Sequence, residues 1–61
     1  MDKQKIAELF IRCQQHKDRA WKAHIGKKTR QALEEACNLE LAAMDLRKLL
    51  AEEEEAQKKR G

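Results

Sequence analysis

Cys13, His16 and Cys37 are the residues of this chain best suited to grip a metal ion or form a covalent crosslink. Cys13-Gln14-Gln15-His16 has C-x2-H spacing, and Cys37 would face it if the chain doubled back. A structural zinc site needs a fourth ligand, and His24 stands too far along a helix from Cys13 to supply it. A Cys13–Cys37 disulfide would staple a hairpin, but it requires an oxidising compartment for which nothing else speaks. Two buried free thiols, packing as small apolar groups, fit the composition best.

Trp21-Lys22-Ala23-His24 is the second cluster. The sole Trp and a His at i+3 share a helix face, among Arg19, Lys22, Lys27 and Lys28. Trp beside Arg or Lys suits an interface anchor. The same Trp21 would alternatively close the end of a hairpin against Thr29 and Leu33. The carboxylates of residues 52–55 belong to a helix that encloses no pocket, so nothing would exclude water or shift their pKa values. No Gly-rich phosphate loop is present, nor a nucleophile, base and acid with a scaffold to hold them. The expectation is a non-enzymatic chain that requires no cofactor.

The elements that carry these groups are helices. Val and Pro are absent, and Thr29 is the only Thr, which argues against a sheet and for an all-α chain. Asp2 offers an N-cap for a basic first helix over about 3–24. Its apolar positions are Ile6, Phe10, Cys13, Ala20 and His24, widened by Leu9 and Trp21 and interrupted by Lys17. Gly26 is the only internal glycine, and it predicts a turn at 26–28, with Gly26 as the residue just past the helix and Thr29 as the next N-cap. From 29 to 60 a second helix follows, rich in Ala, Leu, Glu, Lys and Arg, and Gly61 closes its charged tail. The two helices form an extended hairpin or, in the competing reading, one bent long helix without an independent globular core.

The second helix carries two apolar stripes. Ala32, Ala36, Leu39, Ala43, Leu46 and Leu50 follow a 4-3-4-3-4 spacing, while Leu33, Cys37, Leu41 and Met44 lie on another face. A 61-residue chain supplies one neighbour at most, so the remaining face needs another protein. The expected packing surface is Leu39, Leu46 and Leu50 towards one neighbour, with Leu41 and Met44 towards another.

Charge divides along the chain. Residues 1–31 hold nine Lys/Arg against three Asp/Glu, a net of +6; residues 32–61 hold five against eight, a net of −3. The front half therefore favours an anionic partner through Arg12, Arg19, Lys22, Lys27, Lys28 and Arg30, although solvated helix surface reads the same way. No apolar run approaches the length of a membrane span and no leader is evident, so the sequence reads as cytoplasmic.

Trp21-x-x-His24, the basic stretch after it, Leu33 through Leu50 and the acidic run that follows resemble the small helical microtubule inner proteins of cilia and flagella. The resemblance covers residues 19–55. It implies a structural protein on the luminal face of axonemal doublet microtubules, wedged between tubulin and neighbouring axonemal proteins. Two rival readings come from the residues alone. One is a basic subunit of a ribonucleoprotein or ribosomal assembly, disfavoured by the scarcity of stacking aromatics. The other is a self-associating coiled-coil adaptor, with an alanine-rich and hence weak seam.

Overall fold

The computed structural model describes residues 3–60 as two helices, α1 (Lys3–Ile25) and α2 (Thr29–Arg60), packed as a hairpin measuring 50 × 15 × 12 Å. The proposed Asp2 cap and the closing Gly61 lie outside the described residues. Good helix formers fill both elements, and no proline interrupts them. α2 has 32 residues against 23 in α1, so its tail projects past the start of α1. There Lys58 and Glu54, four residues apart on one face, form an ion pair at 3.2 Å.

The turn differs from the expectation at both of its ends. Lys27 N–H donates to the His24 carbonyl at 3.0 Å, and Lys28 N–H to the Ala23 carbonyl at 2.8 Å. These are the paired 5→2 and 6→1 bonds that close a helix with a left-handed residue. That residue is Lys27, at φ 60°, and not Gly26, which still makes a helical bond to Lys22 at 3.0 Å. Thr29 is not the N-cap either. The Lys28 carbonyl accepts the first bond of α2 from Ala32 N–H at 2.9 Å, which makes Thr29 the first residue inside the helix.

The seam between the helices shows in the pattern of burial. In α1 the covered positions are Ile6, Leu9, Cys13, His16, Ala20 and Ala23; in α2 they are Ala32, Glu35, Leu39, Ala42, Leu46, Leu49 and Glu53. Both sets alternate steps of three and four, the period of coiled-coil packing. Among the described residues only Leu9, Ala42 and Leu46 are buried, and each keeps 6–9% of its surface exposed.

This seam is rotated from the stripe read off the sequence. Ala32, Leu39 and Leu46 belong to both, but Glu35, Ala42 and Leu49 replace Ala36, Ala43 and Leu50. In α1, Leu9, His16 and Ala23 replace Phe10, Lys17 and His24, so Lys17 does not interrupt the core. The physical reason is that the true seam includes a polar pair. His16 Nδ1 lies 2.8 Å from Glu35 Oε1, with both side chains largely covered at 17% and 22% exposure. Each half of that pair, read alone, looks like a surface residue.

Candidate interaction surface

The seam fixes where every other side chain points. In an antiparallel pair, residues immediately after one set of seam positions fall on a single flank in both helices. Those following Leu9, His16 and Ala23 are Phe10, Lys17 and His24; those following Glu35, Ala42 and Leu49 are Ala36, Ala43 and Leu50. Trp21 and Leu33 occupy the outer shoulder of the same flank, beside Gln14, Glu40 and Arg47. Phe10 is 53% exposed, Trp21 62%, Leu33 65% and Leu50 42%. The hairpin leaves these large apolar side chains uncovered, with Lys17, Glu40 and Arg47 interspersed among them on the same flank.

The opposite flank is charged. Lys5, Glu8 and Arg12 of α1 line a groove with Asp45, Lys48 and Glu52 of α2. Nearer the turn, Arg19, Lys22, Lys28 and Gln31 line a second groove that reaches Glu35. Arg30, with Glu34 at 3.8 Å one turn on, borders the back of α2 beside Leu33 and Cys37. Exposed pairs of this kind contribute only tenths of a kcal/mol.

The expected anchor residues are thereby divided. Arg12, Arg19 and Lys22 face one way, while Trp21 and His24 face another, their rings 5.9 Å apart and tilted by 38°. Trp21 is too exposed to seal the hairpin's end. Lys27 and Lys28 stand at the turn itself. Of the apolar candidates, Leu46 is buried and Leu39 half-buried against α1, so these two serve the chain's own core. Leu50 remains open on the apolar flank. Leu41 and Met44, each 60% exposed, lie on α2 away from α1.

The cysteines do not meet. Cys13 is half-buried in the seam, whereas Cys37 is exposed on the back of α2 beside Leu33, and both are free thiols. Of the three readings from the sequence, packing as an apolar group holds for Cys13 alone. Among the described residues no three His, Cys, Asp or Glu side chains gather as metal ligands, and no helix is long and apolar enough to cross a membrane.

The sequence reading missed Glu35. Its hydrogen bond from His16 is the main influence that lowers the Glu35 carboxyl below its ordinary pKa of 4.5; partial desolvation opposes this, and Asn38 reinforces it. The available signal was the 3-4 spacing, which His16 and Glu35 satisfy in their respective helices. Phe10, Ala36 and Ala43, which belong to the apolar stripes expected from the sequence, are exposed outside the seam. Comparison with protein-family models, with curated proteins and with solved structures finds no match to this chain.

Proposed function

We propose that this chain is a non-enzymatic structural protein that completes its apolar core against other protein within a larger assembly. One observation carries the reading: Phe10, Ile11, Trp21, Ile25, Leu33, Leu41, Met44 and Leu50 are all 42–65% exposed, against three buried residues among those described. Scattered exposed Leu residues are ordinary, but eight large apolar side chains left open on a 7.1 kDa chain favour an interaction surface.

The resemblance over residues 19–55 supports the finer proposal that the assembly is the axonemal doublet microtubule. Its acidic polymer would meet Arg12, Arg19, Lys22, Lys27, Lys28 and Arg30 through the charged flank and turn. Co-pelleting of the full chain with microtubules, compared with binding to RNA across a salt titration, tests this. Saturable retention on microtubules, abolished by Arg19→Glu with Lys22→Glu, supports the proposal. Binding to RNA alone, with a steep loss as salt rises, replaces it with a ribonucleoprotein role.

A further inference from the structure

Resting on that reading, we propose that the first protein to cover the apolar flank is a second copy of this chain, joined head to tail into a four-helix bundle. The amount of surface comes first. A compact monomer of this mass exposes about 4,100 Å², whereas the hairpin exposes 5402 Å². The excess of about 1,300 Å² falls within what each protomer of an obligate homodimer covers.

The shape of the flank fits its own copy. On α2 its large side chains are Leu33 near the turn and Leu50 near the open end, with Ala36 and Ala43 between them; on α1 Trp21 stands near the turn and Phe10 is level with Ala43. A twofold axis across the middle of the hairpin sets Ala36 beside the partner's Ala43, where two small residues let the helices approach closely. The same axis brings Leu33 within about one helical turn of the partner's Leu50. An isologous contact of this kind uses one patch twice and closes on itself.

Charge fixes the direction. Lys27 and Lys28 stand at the turn, and Glu54, beside Lys58, lies towards the open end on the same shoulder as Leu33. Head-to-tail pairing brings each basic turn alongside the other copy's Glu54. Pairing with both turns at one end would set cation against cation. The dense cationic residues Lys5, Arg12, Arg19 and Lys22 point away from this contact and stay free for a further, anionic partner. Within the contact Lys17 is long enough to reach past the flank to water.

Sedimentation equilibrium of the full chain at low salt should give twice the 7.1 kDa chain mass. Leu50→Glu and Leu33→Glu should each weaken the dimer by more than about tenfold, because each buries a charge in an apolar contact. Leu41→Glu, equally exposed but away from the flank, should leave it unchanged. Ala43→Arg, which keeps a strong helix former, serves as the flank variant if Leu50→Glu loses helicity. Direction is read with Cys13→Ala/Cys37→Ala chains carrying either Leu33→Cys or Leu50→Cys. Mixed under oxidation, they should join 33 to 50.

A single-chain mass at every concentration overturns the proposal, as does equal weakening by Leu41→Glu. Crosslinks of 33 to 33 and 50 to 50 overturn the head-to-tail arrangement. A chain that stays single yet is retained on microtubules ends this inference and leaves the broader function standing.

Discussion

Towards its open end the seam packs Ile6, Leu9 and Cys13 with Ala42, Leu46 and Leu49; towards the turn it packs His16, Ala20 and Ala23 with Ala32, Glu35 and Leu39. The first region contains every buried residue among those described, and the second contains the hydrogen-bonded pair. They do different work. Apolar burial is non-directional and tolerates a slip of register, whereas a single polar pair is satisfied in one alignment only. Stability is therefore concentrated near the open end, and alignment is set nearer the turn.

Truncation should separate the two regions most clearly. Leu9→Ala or Leu46→Ala removes a side chain that is 6% or 9% exposed and should cost about 2–4 kcal/mol. For a hairpin with so small a core that is enough to abolish cooperative melting, read by circular dichroism on a dilute sample. Leu41→Ala, on the uncovered back of α2, should change stability by less than about 0.5 kcal/mol. Similar losses at Leu41 and Leu46 would erase the distinction between seam and surface.

The polar pair should respond in the opposite sense when both members are replaced. His16→Leu alone or Glu35→Leu alone strands a largely covered polar partner and should lower the melting temperature. His16→Leu with Glu35→Leu leaves no polar group to satisfy and should raise it above the parent. The doubled variant should also lose its fixed alignment, seen as broadened amide signals near the turn. A double variant less stable than either single one would mean that the pair supplies stability and not only alignment.

Acid should weaken the turn-side region before the other. Because His16 lowers the folded pKa of Glu35 below 4.5, the unfolded chain holds on to the proton more readily. The contribution is complete above the ordinary carboxylate range and is lost as pH falls through the lowered folded value. Glu35→Gln should therefore flatten the acid limb of melting temperature against pH, while Glu54→Gln, on the solvated tail, leaves it in place. An unchanged acid limb in Glu35→Gln would remove this residue from the pH response.

The same division explains what the sequence disclosed. Two helices and a break near Gly26 were legible, because helix formers fill both segments and one glycine separates them. The packed hairpin was one of two open readings, since propensity alone does not distinguish it from a bent helix. The seam was legible at Ala32, Leu39 and Leu46, where apolar residues sit three or four apart. It was hidden at His16 and Glu35, since a pattern that counts only apolar residues treats a matched polar pair as two interruptions and slides to Phe10, Lys17 and Ala36. Cys37 was misplaced for the same reason: similar distance from the turn says nothing about which side of α2 a residue occupies. The division of Arg12 from Trp21 onto different sides also followed only once the seam was known.

The smallest expected effect concerns the turn that presents the polar region. Glycine is the residue that tolerates a left-handed backbone, yet the left-handed position here is Lys27, at φ 60°. Lys27→Gly relieves the crowding of a side chain there, and the added freedom of the unfolded chain takes back part of the gain. The net should be about 0.5–1 kcal/mol of added stability. Gly26→Ala acts through the unfolded state, since Gly26 continues the helix and a new Cβ would meet the Lys22 carbonyl oxygen at 3.4 Å and that of Ala23 at 3.7 Å, ordinary contacts. It too should stabilise, by about 0.4–1 kcal/mol. The signs matter more than the sizes. A turn with Gly26 as its left-handed residue requires Gly26→Ala to destabilise and leaves Lys27→Gly with nothing to relieve. Melting both variants beside the parent distinguishes the two turns, and a loss at Gly26→Ala would shift the hairpin's entry into α2 by one residue, taking the His16–Glu35 alignment with it.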